Sequence, residues 1–339
     1  MKRVLKIFPA GAALILFFGF FSLAGAQKLE RQLTLYATVT NKSGDPIGGL
    51  AAQQFQLFEG KMEKQILSFS DKAEPMSIGI LIDLSSSMTD VINDKRGKFL
   101  PLINEGFINF IDNSAPDNEY FVATFHTKIN VLQEPTKNHE DVKMALENKA
   151  DFKQGGREAS GTKLYDAIYA ALNKITQGRH GKKALIIATD GMDSSSSHSF
   201  TEVMQAAGFS DTLIYFINIS SRPAGNHINS FGIVGEIFMA EISRVSGGRT
   251  YKAAYKTGDE DSLKKIPETR NVFSLLAAEL QKQYAIKFAP APAGRKNEWR
   301  NIRLKLDLPK DQAKGPGKLS VRTREKYVSI AGEAAGGQN

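Results

Sequence analysis

The sequence predicts an α/β protein: a doubly wound central domain beside a small β-sandwich-like module that the N- and C-terminal strands build together. Three observations carry that expectation. Ile78-Gly79-Ile80-Leu81-Ile82 and Ala184-Leu185-Ile186-Ile187-Ala188 are nearly unbroken apolar runs, as in strands buried on both faces of a parallel sheet. The chain around them alternates helical and strand patterns, the signature of a doubly wound sheet. At both ends apolar and polar residues instead alternate with period two, as in strands that bury one face.

Taken in order, residues 27–73 read as an N-terminal β segment. Leu33 to Thr40 alternates, Asn41-Lys42-Ser43-Gly44-Asp45-Pro46 is a turn cluster, and Phe55, Leu57 and Ile66 to Phe69 continue as short strands. Such a unit is too small to be stable alone and needs a partner sheet. Residues 74–281 read as the central domain. Met76 to Asp83 is a buried strand; Phe99, Leu102, Ile103, Phe107 and Phe110 recur at helical spacing; Tyr120 to Phe125 is a strand; Leu164, Ile168, Ala171 and Leu172 mark a helix. Leu213 to Ile219 is a further strand, Ile237 to Val245 a helix closed at Gly247-Gly248, Arg249 to Ala253 an edge strand, and Val272 to Gln283 a final helix. Residues 282–330 supply Tyr284 to Phe288, a strand in which Ile302, Leu304, Leu306 and Leu308 alternate with Arg303, Lys305 and Asp307, and Leu319 to Thr323. These strands are expected to pack with the N-terminal ones, which makes the central domain an insertion. The small polar tail 331–339 is expected to be disordered.

Length and composition fit about two globular domains: 339 residues, 42% hydrophobic and 24% charged. Residues 1–26 combine a basic start, an apolar stretch and Ala24-Gly25-Ala26, the pattern of a secretory signal peptide with Gln27 as mature start. An uncleaved anchor is the alternative, because the apolar stretch is only slightly shorter than a bilayer span. With the leader removed, no segment is long and apolar enough to span a membrane. The absence of cysteine excludes disulfides, thiol catalysis and lipid attachment through cysteine. An exported, disulfide-free protein fits a bacterial envelope, with the periplasm, the cell surface and the medium all open. The net charge of +8 is concentrated after Gln281. That excess reads as the solvated face of a half-exposed sheet rather than a surface for anionic glycans, nucleic acid or lipid headgroups.

The chemistry lies in three loops. Both apolar strands end in an acid, at Asp83 and at Asp190 in Thr189-Asp190-Gly191, and ligands of open α/β sheets sit beyond the carboxyl ends of strands. Asp83-Leu84-Ser85-Ser86-Ser87 and Ser160-Gly161-Thr162 add hydroxyls. Carboxylates and hydroxyls are hard oxygen donors, suited to Mg²⁺ or Mn²⁺ rather than Zn²⁺. Asp166 and Asp193 read as caps of a helix or turn, and Ser194-Ser195-Ser196-Ser197 as a flexible solvated loop that could border a partner surface.

In these residues the chain resembles the von Willebrand factor A domain family, whose metal-ion-dependent adhesion site has the pattern Asp-x-Ser-x-Ser, then Thr, then Asp. Asp83, Ser85 and Ser87, then Thr162, then Asp190 match all its parts. The resemblance implies a Rossmann-like domain in which Ser85, Ser87 and Thr162 bind the cation directly and Asp83 and Asp190 act mostly through water. One position stays open for an Asp or Glu carboxylate of a protein partner. The whole arrangement also resembles exported bacterial proteins described as VWFA-related. Two other functions compete: an ion that only stiffens a scaffold of an envelope assembly, and a metal-assisted hydrolase. The hydrolase needs a base, and His198 is the candidate close in sequence to a metal loop, although a lone histidine beside a serine run reads as solvated. His126, His139, His180 and His227 show no ligand spacing, and neither a Gly-x-Ser-x-Gly elbow nor a phosphate-binding Gly-x-x-x-x-Gly-Lys loop occurs. A non-enzymatic binding module is therefore the expectation.

Overall fold

A computed structural model describes residues 32–85, 99–148, 161–219, 230–253, 266–292, 297–308 and 318–329. The leader and the tail lie outside them.

The central sheet contains β5 (Met76–Asp83), β6 (Glu119–Phe125), β7 (Ile129–Thr136), β8 (Lys182–Thr189), β9 (Thr212–Asn218) and β10 (Thr250–Lys252), in the order β10-β9-β8-β5-β6-β7. All neighbours are parallel except the β6–β7 hairpin. The chain builds outward from β5 through β6 and β7, then returns to the other side of β5 as β8. This reversal of strand order puts the β5–β8 pair at the switch point, where an open sheet leaves a crevice at its carboxyl edge.

Alternation along the strands assigns the two helix layers. Ile78, Ile80 and Ile82 face α1 (Phe99–Asp112), α2 (His139–Glu147) and α6 (Ile266–Gln281). Leu81, Leu185 and Ile187 face α3 (Leu164–Ile175), α4 (Phe200–Phe209) and α5 (Ser230–Ser246). The apolar runs are continuous because both faces of the sheet are covered.

The outer strands form two four-stranded antiparallel sheets. One has the order β13-β1-β11-β4, from β1 (Leu33–Thr40), β4 (Ser68–Ser70), β11 (Tyr284–Phe288) and β13 (Ser320–Arg322). The other has the order β14-β12-β2-β3, from β2 (Phe55–Glu59), β3 (Met62–Lys64), β12 (Glu298–Leu306) and β14 (Lys326–Ser329). Leu35 pairs with Ile286 and Leu57 with Leu304, so strands from the two ends of the chain interleave in both sheets. Leu35, Ala37, Val39, Leu57, Tyr284 and Ile286 belong to the core the two sheets share.

Several local expectations need correction. The helix expected from Ile237 begins at Ser230, and the one expected from Val272 begins at Ile266. The alternating C-terminal strand starts earlier, at Glu298, and ends at Leu306 rather than Leu308. β7, α2 and α4 were not expected at all.

The central domain and the sandwich meet at a buried polar clasp. Glu279 in α6, 2% exposed, accepts hydrogen bonds from Tyr215 (2.7 Å), Tyr251 (2.9 Å) and Thr38 (3.3 Å), and also pairs with Arg322. Thr38 and Arg322 come from the sandwich, and the tyrosines from the central sheet.

Candidate metal centre

Asp83 closes β5 one residue past the Ile82–Ala188 pair, which sets it beside Thr189 at the end of β8. Its side chain is fully buried. One oxygen accepts the Ser85 amide at 2.9 Å and the other accepts the Thr189 hydroxyl at 2.6 Å. The Ser85 hydroxyl also donates to this carboxylate, which leaves its oxygen lone pairs available to a cation. Ser85 itself is fully buried.

Asp190 follows Thr189 and accepts the Met192 amide at 2.9 Å. The turn depends on Gly191, at φ +82°, where a Cβ would lie 2.8 Å from the Gly235 carbonyl oxygen of α5. A side chain is excluded there both by the left-handed backbone and by the close approach of α5.

Thr162 opens the third loop and is 5% exposed. Its amide donates to the Ser194 hydroxyl at 2.9 Å, and its carbonyl accepts the amides of Ser194 and Ser195, each at 3.0 Å. The Thr162 loop is thus fastened to the loop after Asp190, and that loop is fastened through Thr189 to Asp83. Hydrogen bonds link the three segments singled out in the sequence in a chain, from Asp83 through Thr189 to the loop after Asp190 and on to Thr162. Ser86 and Ser87 lie outside the described residues.

The serine run is solvated, with Ser194, Ser195 and Ser197 exposed, but it is not a free loop. Lys163 gives α3 no side-chain cap, and the loop caps it instead: Asp193 accepts the Tyr165 amide at 3.1 Å and Ser196 accepts the Asp166 amide at 3.0 Å. Asp166 in turn accepts the amides of Ser197 (3.0 Å) and His198 (2.9 Å), and it bonds the His198 ring at 2.7 Å. Burial opposes its charge, but these donors and Lys163 outweigh burial and hold its pKa down to about 2. The capping roles expected of Asp166 and Asp193 hold. The His198 ring, read from the sequence as solvated, is bound to Asp166 and stacked on Tyr169 with centroids 4.0 Å apart.

The electrostatics bear directly on whether a cation suits the site. Among the described residues neither Asp83 nor Asp190 has an ion-pair partner. Burial first, and the Asp190 charge second, push the Asp83 pKa up to about 7 despite the hydrogen bonds it accepts. Two adjacent sequestered acids without a counter-charge are what a bound dication compensates. No three His, Asp or Glu side chains cluster as a ligand set among the described residues, so hydroxyls have to complete the shell. An all-oxygen set of this kind fits a hard cation.

Residues 78–192 match the family described as the von Willebrand factor type A domain. The matched segment contains every residue of the candidate site. Among solved structures, the chain is similar to an aerotolerance-related membrane protein from Bacteroides fragilis, with 16% identity, 58% of this chain and 99% of that chain covered, and a TM-score of 0.40. It is also similar to proximal thread matrix protein 1 from the mussel byssus with a zinc-occupied MIDAS motif (16%, 66% and 49%, TM-score 0.44). A third is a von Willebrand factor type A protein from Catenulispora acidiphila (12%, 91% and 76%, TM-score 0.43). No curated protein matches the chain.

Proposed function

We propose that this protein is a divalent-cation-dependent protein-binding module, used in adhesion or assembly. Ser85, Ser87 and Thr162 supply hydroxyl oxygens, and Asp83 and Asp190 supply negative charge, to a Mg²⁺ or Mn²⁺ ion. The observation that carries this reading is the fully buried Asp83 carboxylate beside Asp190, with no cationic partner among the described residues and with the Ser85 hydroxyl on the same loop. When bound, the ion supplies an electrophilic position that an Asp or Glu carboxylate of a protein partner completes. The protein's own groups prepare that position. The Thr189 hydroxyl orients Asp83, and the Ser194 and Ser195 amides fix Thr162.

Catalysis is not part of the proposal. We further propose that residues 1–26 direct export, that the mature protein works in the periplasm, at the cell surface or in the medium, and that the chain belongs with exported bacterial VWFA-related proteins. Among the described residues no helix is long and apolar enough to cross a membrane.

The test is retention of partners from an envelope extract by immobilised protein, with and without EDTA, comparing wild type with Asp83→Ala. A protein held only by metal-loaded wild type supports the proposal. Retention that ignores both EDTA and the substitution contradicts it.

A further inference from the structure

Far along the chain from the metal loops, the polypeptide crosses from one sheet of the sandwich to the other between Arg322, the end of β13, and Lys326, the start of β14. A cavity of about 430 Å³ lies at this corner. Its walls carry Arg322, Arg324 and Lys326 from the crossing segment, Arg303 from β12 and Arg244 from the last turn of α5, with Glu325 as the acid among the lining residues.

Some of these charges are already used. Arg322 is taken up by Glu279, and Arg244 pairs with Glu325 at 2.7 Å and with Glu241. Arg324, whose side chain is 7% exposed, meets Asp211 at 3.2 Å and donates to the Gly208 carbonyl at 2.9 Å, so it too is engaged. Other donors remain over. Arg303 and Lys326 have no carboxylate partner among the described residues; they lie over the rings of Phe58 (5.0 Å) and Trp299 (4.8 Å). The Nε atoms of Arg244 and Arg324 are sealed from solvent and do not face the cavity, so the donors open to a ligand there are those of Arg303 and Lys326.

We propose that this corner binds a small phosphate ester. The Arg303 guanidinium of β12 and the Lys326 ammonium of β14 line the space from different strands, and a tetrahedral oxyanion can accept from several directions at once. The cleft is half open, and its volume is enough for a small molecule. The phosphate is therefore carried on a small polar body, as a soluble ester or as a lipid headgroup. The basic excess of the C-terminal segment, which its alternating strands suggested was only a solvated face, includes this concave site.

The experiment is calorimetric titration of the mature protein with glycerol 3-phosphate in chloride buffer, alongside flotation with vesicles of phosphatidylcholine alone or mixed with phosphatidylglycerol. The variant is Arg303→Gln with Lys326→Gln. The control is Lys42→Gln with Lys61→Gln, the same charge change at two exposed lysines elsewhere on the sandwich. Binding of either phosphate probe that weakens roughly tenfold or more in the variant and is unchanged in the control supports the site. Dependence seen with the soluble ester alone identifies a free ligand; dependence seen with phosphatidylglycerol vesicles identifies a headgroup. Absence of binding to both probes, or equal weakening in the control, overturns it. Lys326→Gln alone keeps the comparison decisive should the double variant melt early.

Discussion

Thr189 donates its hydroxyl to Asp83 Oδ2 at 2.6 Å, across the boundary between the two strands that flank the switch point. The Thr189 hydroxyl oxygen in turn accepts the Gly191 amide at 3.1 Å. One side chain therefore fixes the carboxylate of the first loop and shapes the turn that carries Asp190. Replacing Thr189 with Val keeps the volume but leaves a buried carboxylate oxygen without its donor. In EDTA the variant is expected to lose about 1–3 kcal/mol in urea unfolding. Identical unfolding midpoints would show that the bond contributes nothing.

Gly191 and Gly48 make a matched pair. At Gly191 a Cβ meets the Gly235 carbonyl oxygen at 2.8 Å with φ at +82°, whereas at Gly48 nothing lies within 4 Å. Gly191→Ala is expected to cost about 2 kcal/mol and to weaken cation binding by displacing Asp190. Gly48→Ala should leave both unchanged. Thermal melts and Mn²⁺ titrations of the two variants decide the matter.

Buried charge at the opposite edge of the sheet gives a pH signature. Lys182 donates to the Leu280 carbonyl at 2.6 Å and lies 5.2 Å from the Tyr36 ring. Burial, the largest influence, draws its pKa from 10.5 down to about 8, against the pull of Glu74 and Glu279. Because the folded pKa is the lower one, the unfolded chain binds more protons between the two values. The Lys182 contribution is therefore fully present above 10.5 and is lost as pH falls through about 8. The unfolding free energy of wild type relative to Lys182→Met should rise across that window by on the order of a few kcal/mol. A flat difference would contradict the burial argument.

Glu279 is the acceptor for Tyr215, Tyr251, Thr38 and Arg322. Glu279→Ala leaves a partly buried guanidinium and three hydroxyls without their acceptor, so a loss of about 3 kcal/mol is expected in denaturant unfolding. Replacing Glu279 and Arg322 together with methionine should cost much less than Glu279→Ala alone, because no charge is then left unpaired. Equal losses for the single and double variants would mean that the clasp is not a charge network.

What the sequence disclosed follows from physical range. β5 and β8 were legible because burial on both faces writes an unbroken apolar run, and the acids at their ends pointed to the site. The interleaved ends were legible because half-buried strands alternate. β7 was missed because it lies at the sheet edge, with Ile129 and Val131 largely exposed and Pro135 within it. α2 buries only Val142 and Leu146, too little to write a helical stripe. The first turns of α5 contain Gly232 and Gly235, which weaken the pattern, yet Gly235 is required where α5 touches the Asp190 carbonyl. Ser194 to Ser197 looked like a loose loop because their partners, Thr162, Asp166 and the first turn of α3, lie some thirty residues away. Sequence composition records propensity, not such distant bonds.

The most direct test of the account is uptake of Mn²⁺ by the chelator-treated protein, followed by calorimetry or by electron paramagnetic resonance of the free ion. The account predicts one ion bound per chain, displaced by Mg²⁺, weakened in Ser85→Ala and Thr162→Ala and abolished in Asp83→Ala with the fold retained. No uptake by wild type, or undiminished uptake after Asp83→Ala, would contradict it.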